Sequence, residues 1–300
     1  MPEQVQLRVM ESVPGNSEKS WPGRDLNSGR WVGDSRRRQG ATARANGDAS
    51  QASSEEPKDR SAFTVAKLGP LPELPAEPTH EQIVAAVDRS ISESCKTLKR
   101  DSLDCLLLHQ VAQMNAWHGA IWRRLLELVQ AGRIQRLGVS VQTPQDARAA
   151  LVNHHVVHIE MPFNLLDWRW RESGLVTQML RRRDLTVHAG DVFLKGLLVA
   201  ADPAAWPAID GVDARAVLAV IRQLTDELGR ESPADLCMAY ARGQEFIDGV
   251  VVGAEAGDRL DLDLRLAVRR PLTAEECRIV DARVPRLPER LLNPALWPQV

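Results

Sequence analysis

The chain has 300 residues and a mass of 33.3 kDa, with 44% hydrophobic and 26% charged residues, which suits one large domain or two small ones. Thirty-eight Lys+Arg against 40 Asp+Glu leave a net charge of −2, a balance that argues against a general binder of nucleic acid or anionic membrane. No stretch approaches the ~20 apolar residues of a membrane span, and Cys95, Cys105, Cys237 and Cys277 lie too far apart for a CxxC zinc site or a disulfide framework. Met1 to Gly15 shows no apolar run followed by a small-residue cleavage site, so the expectation is a cytoplasmic protein with reduced thiols.

Residues 1–61 are rich in Gly, Ser, Asn, Arg and Gln, and between Asn27 and Arg60 Val32 is the one large aliphatic residue. Such a segment buries too little apolar area to offset its ordering entropy, so it reads as a low-complexity, disordered or diverged region. Val5, Leu7 and Val9 alternate like a half-buried strand. Arg36, Arg37 and Arg38 form a basic cluster, but residues 1–60 hold ten Lys/Arg against nine Asp/Glu, with no basic excess to engage phosphates.

A domain over 62–300 follows. Its short apolar runs are 63–66, 103–108, 134–139, 156–161, 185–189 and 249–252. Between them lie segments of helical period: Ile83, Val87, Ile91 and Leu98; Ile121, Leu125 and Leu128; Leu175, Met179 and Leu180; Val217, Val220, Ile221 and Leu224. Pro144 opens a further helix with Thr143 as its cap. Apolar strands alternating with helices predict βα units and a parallel sheet covered on both faces. The GxGxxG of a dinucleotide-binding open sheet is missing. Polar residues fall instead at the carboxyl ends of strands: Lys67, His109, Ser140 and Asn164. That rim is where a closed (β/α)8 barrel builds its sites, so the α/β fold predicted is a TIM-type barrel.

The runs GVSVQTPQDARAAL (138–151), IEMPFNLLDWR (159–169), VHAGDVFLKGLL (187–198) and IDGVVVGAE (247–255), in this order and spacing, resemble the aldo-keto reductases. KLGPL (67–71) and the closing LLNPALWP (291–298) fit a bacterial branch. On this resemblance the six apolar runs are barrel strands three to eight. It implies an incomplete or diverged start, an NADP(H)-type cofactor across the carboxyl-end rim, and reduction of small-molecule aldehydes or ketones.

The resemblance also implies roles. Lys67 matches the lysine that tunes the family's proton-donating tyrosine, and His109 the histidine that orients the carbonyl. Taken alone, a strand-end lysine is equally a solvated cap, and a lone histidine a satisfied polar residue. Ser140 and Glu160 match groups facing the nicotinamide carboxamide, although a carboxylate accepts and cannot donate. Backbone around Phe193 to Gly196 and the turn at Gly253 match phosphate contacts, with Arg259 toward a 2′-phosphate or simply solvated. Asp191, facing a phosphate, would repel it. The family's D-T-A-x-x-Y-G-x-S-E stretch meets Glu11-Ser12-Val13-Pro14-Gly15-Asn16-Ser17-Glu18 here, with Pro14 at the tyrosine position. Proline has no ionisable proton, and the chain's one tyrosine, Tyr240, lies in the helical DLCMAYARGQ, where the resemblance implies a structural aromatic.

Trp122 reads as core, whereas Trp117, Trp168 and Trp170 suit a rim pocket or packing equally. His154, His155 and His158 have no supporting ligand cluster beyond Glu160. Three functional readings follow: a slow NAD(P)H-dependent carbonyl oxidoreductase, a non-catalytic relative that binds a nucleotide or a partner, and a truncated barrel. In the last, open edges at strands three and eight would permit self-association.

Overall fold

The computed structural model describes residues 23–24, 31–32, 63–252 and 257–298, with side chains from 262 onward in the last stretch. β1 (Gly23–Arg24) and β2 (Trp31–Val32) form an antiparallel pair, with Gly23 opposite Val32 and Arg24 opposite Trp31. This pair uses the one branched aliphatic residue of its stretch. It belongs to one compact unit, and residues 63–298 to another. The strand expected at Val5–Val9 lies outside the described residues, as do Glu11–Glu18.

The second unit carries a six-stranded sheet in the order β3 (Val65–Leu68), β4 (Cys105–Leu108), β5 (Leu137–Ser140), β6 (Val156–Pro162), β7 (Thr186–Gly190) and β8 (Gly249–Val250). Every neighbouring pair is parallel. With helices between successive strands, this is a half-barrel. All six expected runs are found, with shifted bounds. β3 starts two residues later than expected, which puts Lys67 inside the strand rather than just beyond it. The starts of the second and third runs hold one isolated bridge, Leu103 to Ile134.

Several of the helices start at a side-chain cap. α1 (His80–Thr97) starts at a box in which the Thr79 hydroxyl accepts from the Gln82 amide and Gln82 accepts from Thr79 N–H. α2 (Ala116–Gln130) precedes β5. α3 (Pro144–Leu151) repeats the box with Thr143 and Asp146, and Pro144 at its first position lacks an N–H that would be unpaired there. α4 (Trp168–Glu172), α5 (Leu175–Arg181) and α6 (Ala214–Glu227) follow, then α7 (Pro233–Arg242) behind the Ser232 cap. α8 (Gly257–Ala267), α9 (Ala274–Arg283) and α10 (Glu289–Leu292) close the chain.

Strand alternation sorts the residues onto two faces. Leu68, Leu106, Leu108, Val139, Ile159 and Val187 join the apolar core beneath the helices. Lys67, Cys105, Leu107, Gly138, Ser140, His158, Glu160 and His188 occupy the alternate positions, on the inner face of the curl. Trp122 and Trp170 are buried in the core layer. Trp168 and Trp170 sit in α4, not in a loop. Trp170 donates to Asp167, and Trp168 to the Leu287 carbonyl while the Arg286 guanidinium lies 3.7 Å from its ring centre. Both are packing residues in these contacts. Trp117 is half-buried and donates to the Ala76 carbonyl at 3.3 Å, tying the start of α2 to the loop before α1.

Gly138 sets how closely the inner faces of β4, β5 and β6 approach. A Cβ there would lie 2.2 Å from the His158 carbonyl oxygen and 2.5 Å from Leu107 Cδ2. Backbone cannot yield as a side-chain tip does. Gly138→Ala is therefore expected to cost about 3 kcal/mol, the upper part of the overpacking range. In a thermal melt that is a fall of roughly 6–12 °C. A melt within about 2 °C of wild type would contradict the close approach.

Candidate active-site cluster on the inner face

Lys67, Ser140 and Glu160 come from β3, β5 and β6, and their side chains meet. Lys67 Nζ donates to Glu160 Oε1 at 2.8 Å and to Ser140 Oγ at 3.3 Å. Three strand spacings in a flat sheet would hold the β3 and β6 backbones about 14 Å apart. The curl of the half-barrel and the four-carbon stem of Lys67 close that distance. Ser140 and Glu160 are register partners across β5 and β6, so one strand contact sets both acceptors. Glu160 is nearly buried, its side chain 9% exposed, whereas that of Lys67 is 27% exposed. The ammonium thus reaches solvent from one side and a buried carboxylate from the other. Beside them Gly190 leaves room: a methyl group there would meet nothing nearer than 3.8 Å, Glu160 Oε1 among those contacts.

Behind this cluster lies a chain of buried groups that the sequence reading passed over. Cys105 Sγ is 3.4 Å from His158 Nδ1, and His158 Nε2 is 2.7 Å from His188 Nδ1. His188 is in register with Glu160 across β6 and β7. Burial pushes the Cys105 thiol up to about 12, so it remains protonated. Burial, helped by His188 and Arg136, holds His158 well below the usual imidazole range. Burial likewise lowers His188 to about 4, with Glu160 opposing the shift and Arg136 adding to it. All three groups are neutral at pH 7. With His158 protonated at Nε2, the thiol donates to its Nδ1 and Nε2–H donates to His188 Nδ1; the other tautomer reverses both bonds. Period-two spacing was the signal: His158 and Glu160 are two apart on one strand and must share a face.

The remaining expected residues are placed as follows. His109 follows β4, its backbone N–H bonded to the Leu68 carbonyl at 3.1 Å and its side chain exposed. It is not bonded to the Lys67 cluster. Asn164 is a turn residue rather than a rim group, 1% exposed and accepting from the Leu166 amide at 3.0 Å. Phe193 is buried, and Gly196 has φ +91°. The amides of Leu194, Gly196, Leu197 and Leu198 bond within the segment itself, so they are not open to a ligand. Asp191 is paired with Lys195 Nζ at 2.6 Å, which offsets the repulsion expected of its carboxylate. Gly253 lies outside the described residues, and Arg259 is placed in α8 without a described side chain. Asp263, on the same helix, is buried.

Tyr240 lies in α7, stacked on Phe163 with ring centres 5.8 Å apart. Its hydroxyl donates to Asp281 Oδ1 at 2.6 Å and accepts from Arg171 Nη1. Burial pushes the phenol well above its ordinary range.

The histidine chain has a consequence for stability. An unfolded histidine titrates near 6.5, but folded His188 does so at about 4. As pH falls from the first value toward the second, the unfolded state takes up a proton that the folded state refuses, so stability declines and then levels off below the folded value. The loss is on the order of 3 kcal/mol. Thermal melts should fall over this window, and His188→Gln should flatten that part of the slope. An unchanged slope in the variant would contradict a neutral buried His188.

Comparisons with known proteins agree with this architecture. The chain matches the model of the aldo/keto reductase family over residues 47–284. No curated protein matches it. Among solved structures, the holo form of the aldo-keto reductase AKR11C1 from Bacillus halodurans is 21% identical with a TM-score of 0.58, over 75% of this chain and 73% of that one. Its apo form is 20% identical with a TM-score of 0.56, over 74% and 71%. The glycerol dehydrogenase AKR11B4 from Gluconobacter oxydans is 19% identical with a TM-score of 0.54, over 68% and 66%. At these identities the structures support the fold alone. The family match spans most of the half-barrel and every inner-face residue described above, and on it this chain belongs to the aldo/keto reductase family.

Proposed function

We infer that the protein binds a reduced nicotinamide dinucleotide, NADPH in the first instance, across the carboxyl-end rim and reduces small-molecule aldehydes or ketones slowly. Family membership supports the reaction class. The observation that carries the reading is the convergence of Lys67, Ser140 and Glu160 on the inner face near the strand ends.

The residues present fit such a cofactor at both ends. The space beside Gly190 adjoins Glu160 and lies on the same face as Ser140, so these two would hold a carboxamide. At the other end Asp191, Leu194 and Lys195 have φ of +51°, +48° and +53°. Left-handed backbone at non-glycine residues costs about 1–3 kcal/mol each and clusters at ligand-binding segments. The Lys195 amide makes no bond among the described residues, and its ammonium offsets the charge of Asp191. Phe193, Gly196 and Lys195 would therefore border the phosphates, together with Gly253 and Arg259. When bound, the dihydronicotinamide supplies the hydride. The chain's part is to hold the carbonyl near Lys67 and His109 and to give its oxygen a proton. Loss of a positioned acid typically lowers a rate by about 10²–10⁴-fold, which is why slow turnover is expected without a tyrosine at the rim.

A second reading, nucleotide binding without turnover, is favoured by one observation. The chain's one tyrosine is engaged by Asp281 and Arg171 in the helix layer.

Titration of the purified chain with NADPH should quench tryptophan fluorescence saturably, and NADPH should be consumed slowly with 4-nitrobenzaldehyde. Binding without any consumption would favour the second reading. No binding would refute both.

A further inference from the structure

Resting on the reading above, we propose that Lys67 is itself the acid that protonates the carbonyl oxygen, and that Glu160 is the residue that positions it. The count of donors leads there. An ammonium has three N–H groups. One goes to Glu160 and one to Ser140, and the third has no partner among the described residues. The side chain is 27% exposed, so the lysine is partly open to solvent. The two acceptors fix the nitrogen and leave its free hydrogen pointing away from them. Glu160 also supplies the counter-charge that lets an ammonium persist on an inner face otherwise lined by Leu107, Cys105 and neutral imidazoles.

The step balances without a further reagent. As the carbonyl carbon gains its C–H bond from the two-electron donor, the C=O π bond breaks. The oxygen takes H⁺ from Lys67 Nζ and becomes the alcohol hydroxyl. The amine left behind is reprotonated by water through its exposed side. The nicotinamide is the group oxidised, and the carbonyl the group reduced.

His109 is the competing donor, and substitution separates the two. Cys105, His158 and His188 share the inner face with Lys67, and burial keeps all three neutral near pH 7.

The test uses the full chain with NADPH and 4-nitrobenzaldehyde. Lys67→Met and Lys67→Arg should each lower turnover at least about 100-fold, with NADPH affinity changed less than about threefold. Arginine keeps the positive charge but cannot release its proton. A Lys67→Arg variant that keeps the wild-type rate would therefore overturn the proposal. So would a Lys67→Met variant that keeps it while His109→Gln lowers turnover at least about 100-fold. A measurement independent of turnover is the rate of Lys67 acylation by acetic anhydride, read by peptide mass spectrometry. Glu160→Gln should raise it about tenfold, because the ammonium loses its counter-charge. An unchanged rate would remove Glu160 from its positioning role. Failure to bind NADPH would refute the proposed function, whereas binding with turnover indifferent to Lys67 would refute this inference alone.

Discussion

A charged amine on the inner face of a parallel sheet is stable only beside a counter-charge, and Glu160 supplies it at 2.8 Å. That contact links β3 to β6 across two intervening strands. It requires the sheet to curl, and the curl depends on Gly138, where the backbones of β5 and β6 leave no room for a side chain. The polar cluster and the shape of the half-barrel are consequences of the same packing.

The two faces of the sheet divide the work. Helix-facing positions are aliphatic and join the core, where each fully buried Leu or Ile contributes roughly 1.5–3 kcal/mol. Inner positions are mixed, and their polar members are satisfied by one another. Lys67 meets Glu160 and Ser140, and Cys105 meets His158, which meets His188. A neutral histidine chain beside the ion pair leaves Lys67–Glu160 as the charged pair in this inner-face cluster. Under the proposed reduction, the group able to exchange protons with water is the partly exposed Lys67.

The sequence made the six strands and most helices readable, because apolar runs and capping residues such as Thr79, Thr143 and Ser232 act locally. It also made Lys67 and Ser140 visible as strand-end polar groups, while Glu160 stood out only through the resemblance. What it did not reveal is their meeting. Lys67 and Glu160 are 93 residues apart, and their contact depends on sheet curvature, which leaves no local trace in composition. Resemblance placed Glu160 toward a carboxamide; the structure pairs it with Lys67. His188 was legible in principle, since its strand alternates with Ala189 facing the core, but the face of that strand was never assigned. Asn164 does follow β6, and its side chain accepts from the Leu166 amide within the turn there.

The coupling between Lys67 and Glu160 tests the organising contact most directly. A double-mutant cycle of Lys67→Met and Glu160→Gln, read by chemical denaturation, should give an interaction energy of about 1–3 kcal/mol, as for a hydrogen-bonded charge pair shielded on one side. Two effects that simply add, within a few tenths of a kcal/mol, would contradict the account.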